Sequence, residues 1–463
     1  MDAAFALADN VVKSRYEDIP PEAIEASKRD LLDLIGVSLA ATTVGPGCDK
    51  LMGLVADEGG KPESTIIGFG GKYPALMAAL VNGALGHSLD YDDTHDNAYV
   101  HAGIGTIPAA LAIAERLGGI NGKDFLTAIT VGIDIDCRLG LAMQGGPAGN
   151  VERGWMAAQV FGFFSAAATV SKLMGLDKEK TINAFGIAYA QASGNMECAW
   201  GGDANTRGIY GGFACKGGLL SCLLAQRGVT GAKTNLEGKA GLFNVYYQGG
   251  YDRSAIVDDL GKRFEGVNMS FKPWPSCRSS HRFVDSVHRV MIENNLKPDD
   301  IEDVTHYVGG YAENLFRPIE VRRKPPTVMD AKYSIPYTSA VIITKGKLGI
   351  GDFTDDAIKR PEVLAIAQKV NPRFDPEFAE KKARPTALVE LKTKQGQVIT
   401  KRLEHAYGHP LNPITQEDLI AKFKDCAAYS VKPIPQGNLD ELIDMIEHLE
   451  EVEDIARLVK LVS

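Results

Sequence analysis

Between His87 and Gly103 the chain reads HSLDYDDTHDNAYVHAG, seventeen residues that hold His87, His95 and His101 together with Asp90, Asp92, Asp93 and Asp96. Carboxylates and imidazoles at this density can bind a metal, accept a phosphoryl group, move protons or simply begin a helix. An EF-hand counted from Asp90 needs glycine at its sixth position and glutamate at its twelfth, and those positions hold His95 and His101. Calcium binding of that type is excluded. DYDDT matches the DxDxT form of a phosphoaspartyl loop, but such a loop closes a buried parallel strand in an alternating βαβ chain. LGHSL makes a poor strand, and no such alternation surrounds it. Spacing alone leaves open a divalent metal on Asp90, Asp92 and His101, without support from any HExxH-like pair. The remaining chemistry is general acid/base catalysis, with His101 supplying an imidazole, the side chain suited to proton exchange at physiological pH. For Asp92, Asp93 and Asp96 the simpler expectation is a solvated turn or helix end.

The elements that must position this cluster read as helices. PPEAIEASKRDLLDLIGVSLAA begins on proline and carries apolar residues at helical spacing before the breaker TTVGPG. ALMAALVNGALGHSL, GTIPAALAIAERLGG and FGFFSAAATVSKLMGLD repeat that character, rich in Ala and Gly, so close helix packing is expected. In AITVGIDIDCRLGLAM, by contrast, Ile129, Val131, Ile133, Ile135, Cys137 and Leu139 alternate with period two, which predicts a strand. From about Phe271 the texture changes: VTHYVGG, YTSAVIITKG and TALVELKTKQGQVITKRLEH mix strands with helices such as RFVDSVHRVMIENN. Helical patterns return after His405. The expected architecture is mainly α with an inserted α+β domain: helical residues 1–265, α+β residues 266–400, and helical residues 401–463.

With 463 residues, 45% hydrophobic and 24% charged, the chain has the composition of a soluble globular protein of two domains. No uncharged apolar run reaches the ~18–20 residues of a membrane span, and MDAAFALADNVVKSRYEDIPPEA meets acid before a signal-type core is complete, so a cytoplasmic location is expected. Seven scattered cysteines with no CxxC fit reduced thiols. The net charge of −9 argues against nucleic-acid binding. Residues 266–400, however, carry 21 Lys and Arg against 17 Asp and Glu, leaving −13 for the remainder. A mildly basic segment in an acidic chain suits a small anion.

HSLDYDDTHDNAYVHAG followed by TIPAALAIAERLG resembles the signature of the MmgE/PrpD family, which includes 2-methylcitrate dehydratase, cis-aconitate decarboxylase and iminodisuccinate epimerase. The likeness continues in the family's order through YEDIPPEAIEASKRDLLDLIGVSLA, GFFSAAATVSKLMGLD, KPWPSCRSSHRFVDS, AKYSIPY and GHPLNPITQEDLIAKF. It implies a large all-helical domain built from both ends of the chain, a smaller α+β lid, a homodimer, and a helical GIDIDCRLG. It further implies a small-molecule carboxylate substrate handled without a metal or redox cofactor, and no nucleic-acid or membrane partner.

By this resemblance Asp90, Thr94 and His101 occupy the first active-site segment, and Lys272 opens the lid motif. His101 or Asp90 would take a proton next to a carboxylate while Lys272 stabilises the charge that develops. Arg207 would grip a substrate carboxylate through its fork, and Tyr210 would donate a proton. Cys277, Lys332 and Met156 complete the expected substrate-binding set. His281 is equally suited to bracing the lid helix, and Trp155 to packing. Three departures from the family pattern narrow the chemistry. GWMAAQ places the thioether of Met156 where a proton-transferring histidine is usual; Arg207 and Tyr210 replace lysine and histidine; and Cys277 replaces the decarboxylase's histidine, in a WPSC form also like the epimerase. Decarboxylation of cis-aconitate is therefore not expected, and the expected reaction is dehydration of a hydroxy di- or tricarboxylate. Epimerisation of a dicarboxylate is the alternative, and a catalytically dead, metabolite-binding member is the non-enzyme reading.

Overall fold

The Thr206–Gln226 helix, TRGIYGGFACKGGLLSCLLAQ, presents residues too small to hold a neighbour away. A Cβ on Gly212 would stand 2.1 Å from the Leu80 carbonyl oxygen, and one on Gly211 2.9 Å from that of Gly83, so only glycines let this helix lie on the Ala75–His87 helix at backbone distance. Near its N-terminus, a Cβ on Gly208 would come within 3.2 Å of the Ser88 Cα. That approach is what sets Arg207 and Tyr210 against His87.

The computed structural model describes residues 1–143, 154–200, 204–378 and 387–463. It is mainly helical with a small α+β region. The chain divides into two units, residues 1–271 with 415–463, and residues 272–414.

In the first unit the helices Pro21–Val44, Ala75–His87, Ala102–Leu117, Gly122–Met143, Ala157–Leu173 and Thr206–Gln226 pack on one another. By length and composition Thr206–Gln226 could cross a membrane, although it carries Arg207 and Lys216 and so is not an uncharged run; 72% of its apolar window is buried in protein. Burial in the helical core accounts for its character.

The period-two stretch is helix, Gly122–Met143, and not strand. Its intervening polar residues are buried as deeply as its apolar ones. Thr130 hydrogen-bonds Ser27, Asp134 takes the Arg138 guanidinium at 2.7 Å, and Asp136 accepts from Ser165. Arg138 also donates to the carbonyls of Asp258 and Arg263, tying the segment after the Arg253–Val257 helix to this one. A helix buried on all sides, its polar residues included, carries no 3.6-residue stripe, and the alternation was accidental.

The second unit is built on a four-stranded sheet in the order Val370–Phe374, Ile301–Val308, Ala387–Thr393, Val398–Leu403. Ile301–Val308 runs parallel to Val370–Phe374 and antiparallel to Ala387–Thr393. Alternate residues Val304, His306 and Val308 are buried, with Val389 and Leu391 beside them, under the helices Arg278–Glu293 and Ile335–Lys345. Phe283, Val287, Tyr337 and Val341 fill this core.

Candidate active site

The Ala75–His87 helix ends where the candidate chemistry begins. Asp90 adopts a left-handed backbone, φ 52°, and its amide donates to the His87 carbonyl at 2.8 Å. Aspartate tolerates this conformation better than most residues, and it turns the chain sharply out of the helix. The segment then runs through Asp92 and Asp93, makes a loop closed by the His95 amide on the Val100 carbonyl at 3.0 Å, and returns at His101. Thr94 hydrogen-bonds the same carbonyl. Outside the loop, Thr94 and His95 pair with Ser270 and Met269 in a two-stranded ribbon, and the Ser270 hydroxyl donates to Asp96 at 2.9 Å.

His101 sits immediately before the Ala102–Leu117 helix, whose early amide, that of Gly103, donates to Asp93 Oδ2 at 3.0 Å. Asp93 therefore satisfies a helix-start donor from outside the helix and meets the positive end of its dipole. The carboxyl of Asp30 lies against the same turn, 2.6 Å from where a Cβ on residue 103 would stand, so glycine is needed there. From the C-terminal segment, Lys422 reaches in to Asp33 at 2.6 Å and to the Tyr91 carbonyl at 2.7 Å, its ammonium 3.9 Å above the Tyr91 ring.

Asp92, Asp93 and Asp96 are buried, at 0%, 1% and 5% exposure. The expectation of a solvated turn is overturned, because the loop folds inward and each carboxylate is bound by polar groups of the unit. Asp92 Oδ2 lies 2.9 Å from His87 Nδ1 and 3.1 Å from His101 Nδ1. The His87 and His101 rings meet edge to face at 4.8 Å. On its far side His87 Nε2 is bound by the Arg207 guanidinium. A guanidinium only donates, so Nε2 accepts and the ring proton is on Nδ1, directed at Asp92. His101 Nδ1 faces two acceptors, Asp92 and the Asp93 carbonyl at 2.6 Å, and so carries its proton there as well. The lone pair of His101 is thereby left on Nε2, in a side chain 14% exposed. An imidazole so oriented by a carboxylate can take a proton at Nε2.

Burial pushes His87 down to about 4, with Asp92 opposing the shift and Arg207 adding to it. His87 is neutral at physiological pH. Burial likewise holds the Tyr210 phenol well above its usual range, against the pull of Arg207 and with help from Asp92 and Asp90. The Tyr210 ring packs on His87 at 4.4 Å and under Arg207 at 5.3 Å, and its hydroxyl has no hydrogen-bond partner among the described residues. Arg207 also approaches Asp90 at 4.0 Å. Beneath them the Asp30 carboxyl is raised well above the carboxylate range by burial, then by Asp93, Asp33 and Asp92, and Asp136 is raised by burial and Asp93.

His87, Asp92 and His101 each place one donor atom within 4.8 Å of the others, a spacing that a metal ion could use. The Arg207 guanidinium already bound to His87 sets a positive charge beside that position, which opposes a cation.

Family models match residues 6–254 as the MmgE/PrpD N-terminal domain and residues 274–448 as the MmgE/PrpD C-terminal domain. The chain belongs to the MmgE/PrpD family. A cis-aconitate decarboxylase-like protein of Aspergillus oryzae is 26% identical over 440 residues, covering 91% of this chain and 90% of the relative. Human cis-aconitate decarboxylase is 27% identical, covering 96% and 90%. The 2-methylcitrate dehydratase of Escherichia coli K12 is 23% identical, covering 78% and 76%.

Within this family member the structure gathers Asp90, His101, Arg207 and Tyr210 and adds His87, to which no role was assigned from the sequence, and Asp92, weighed there only as a metal ligand or a solvated turn residue. Thr94 lies in the same loop. Met156 precedes the Ala157–Leu173 helix, its amide on the Gly194 carbonyl, beside Trp155, which packs on Tyr246 at 4.6 Å. In the second unit Lys272 is fully buried, and the Cys277 amide donates to the Lys332 carbonyl at 3.0 Å. His281 donates to the Ser276 carbonyl and packs edge-on to Trp274, bracing the turn that starts its own helix. Only the type of His87, at a helix end five residues before Asp92, hinted at the pair.

Proposed function

We propose that this MmgE/PrpD protein is a lyase that removes a proton next to a carboxylate and dehydrates a small hydroxy di- or tricarboxylate of the 2-methylcitrate kind. The observation that carries the reading is the His101 imidazole, held on Asp92 and the Asp93 carbonyl through Nδ1 so that Nε2 is basic. In the proposed step His101 Nε2 takes the α-proton, the C–O bond breaks, and the departing hydroxyl leaves as water with a proton from Tyr210. Arg207 binds a substrate carboxylate with Thr94, and Asp90 orients Arg207. Lys272, Cys277 and Lys332 keep their proposed roles on the family motifs. Met156, lacking a proton to give, shapes the pocket rather than taking part in transfer.

The similarity to cis-aconitate decarboxylases, which extends over more of the chain than that to the dehydratase, favours decarboxylation as a second reading. Both reactions, like epimerisation, pass protons to or from a carbon beside a carboxylate, and they diverge at the bond that breaks afterwards.

The test is incubation of the purified protein with 2-methylcitrate, citrate, cis-aconitate and related hydroxy acids in deuterated water, followed by NMR. Deuterium at an α-carbon together with an unsaturated product supports dehydration; loss of carbon dioxide supports the second reading. A protein that neither labels nor consumes any acid of the panel is not the lyase proposed.

A further inference from the structure

Two imidazoles that share one carboxylate oxygen compete for its charge. His101, the proposed base, becomes an imidazolium when it takes a proton, and Asp92 is the carboxylate that stabilises it. His87 draws on the same oxygen, at 2.9 Å against 3.1 Å. Its ring is fully enclosed and clamped from behind by Arg207 and from the side by Tyr210, so it cannot swing away.

We propose that His87 is a positioning residue which, held at Nε2 by Arg207, keeps its Nδ1 proton on Asp92 and so limits how much of that carboxylate is available to His101. His87 thereby sets the strength of the base and links it to the guanidinium that grips the substrate. The inference rests on the reading of His101 as the base. It assigns His87 no proton transfer of its own, because a nitrogen bound to a guanidinium has no lone pair to offer.

The titratable and charged groups around the pair come from five elements. The loop supplies Asp90, Asp92 and Asp93, and Thr206–Gln226 supplies Arg207 with the phenol of Tyr210. Behind them stand Asp30 and Asp33 of Pro21–Val44 and Asp136 of Gly122–Met143, with Lys422 of Gln416–Ala427 on Asp33. Of these, only Arg207 bonds His87 directly, beside Asp92, so a variant that releases Arg207 and one that releases Asp92 separate the two contacts.

Two substitutions divide the two halves of the ring. In His87→Asn the amide nitrogen takes the place of Nδ1 and still donates to Asp92, but nothing reaches Arg207. In His87→Gln the amide reaches Arg207, and Asp92 loses its donor. The measurement is the His101 Nδ1–H proton resonance at one fixed pH in the full chain labelled with nitrogen-15 at histidine, its signal assigned by its absence in His101→Gln. His87→Gln is expected to move that proton downfield, since Asp92 then accepts from His101 alone and the shared bond shortens. His87→Asn is expected to leave it in place. Equal shifts in both variants, or none in either, overturn the proposal.

The wild-type spectrum gives a test that needs no variant: His87 should carry its proton on Nδ1 and hold constant shifts between about pH 5.5 and 8.5. A His87 signal that titrates in that range, or a proton on Nε2, also overturns it. Both readouts are independent of substrate. Correct histidine spectra in a protein inert to every acid in the panel would sink the proposed lyase activity and spare this inference, and the reverse result would do the opposite.

Discussion

His101 Nδ1 and Asp92 Oδ2 stand 3.1 Å apart, with the carboxylate fully buried and the imidazole at the edge of the protein's interior. The carboxylate fixes the ring's tautomer and balances the charge that appears when Nε2 takes a proton. His101→Gln keeps much of the size and hydrogen bonding but cannot accept that proton. Turnover on the true substrate is expected to fall about 10²–10⁴-fold, with an unchanged circular dichroism spectrum and melting temperature. Near-normal turnover would make His101 structural and end the mechanism.

Asp92→Asn tests the carboxylate itself. The amide can present its NH₂ to His101 and drive the proton to Nε2, the nitrogen that has to be basic. A loss of about 10²–10⁴ in kcat is expected, with KM little changed, because orientation and not binding is removed. A variant that loses affinity but keeps kcat would place Asp92 in substrate binding instead.

Chelation separates proton chemistry from metal chemistry at the same residues. With Arg207 bound to His87 where a cation would need that ring, exhaustive treatment with a chelator is expected to leave activity whole. Activity that disappears and returns with one divalent ion would revive the metal reading of His87, Asp92 and His101.

Asp30 offers a prediction on stability. It is buried, neither oxygen has a hydrogen-bond partner among the described residues, and its pKa is raised well above 3.8 by burial and by Asp93, Asp33 and Asp92. The unfolded chain loses this proton near the ordinary value while the folded chain retains it. Stability is therefore full below that value and declines as pH rises toward the folded pKa, by about 1.4 kcal/mol per pH unit for one proton. Asp30→Asn removes the titration, so its advantage in melting temperature over the wild type should grow from pH 5 to pH 8. A difference that is constant with pH would show that Asp30 is ionised in the folded protein.

How much of this was legible beforehand depended on whether the decisive contacts were local. Asp90 and His101 declared themselves by type and motif, and the Ala- and Gly-rich runs announced close-packed helices. The Asp92–His87 pair was hidden because a carboxylate in a polar run looks solvated unless the loop's inward fold is known, and that fold depends on Lys422 some 330 residues away. Arg207 could not be placed on His87 without seeing that Gly208, Gly211 and Gly212 admit the neighbouring backbone. The helix Gly122–Met143 misled for the opposite reason: Asp134, Asp136 and Arg138, polar by type, are core residues whose partners lie partly in other elements.

Tyr210→Phe addresses the step after proton removal. The phenol is buried against His87 and Arg207, and its hydroxyl lacks a partner among the described residues, while burial keeps it protonated throughout the working range. It is a donor always loaded, next to a guanidinium that would steady the tyrosinate left behind. Phenylalanine keeps the ring and its packing and removes only that proton. Dehydration needs an acid at the leaving hydroxyl, but removal of the α-proton does not. The variant is therefore expected to continue washing solvent deuterium into the substrate's α-carbon while formation of the unsaturated product falls about 10²-fold or more. If labelling and elimination fall together, Tyr210 serves substrate binding or the first step; if both survive, another group protonates the leaving oxygen, and Tyr210 merely packs against His87.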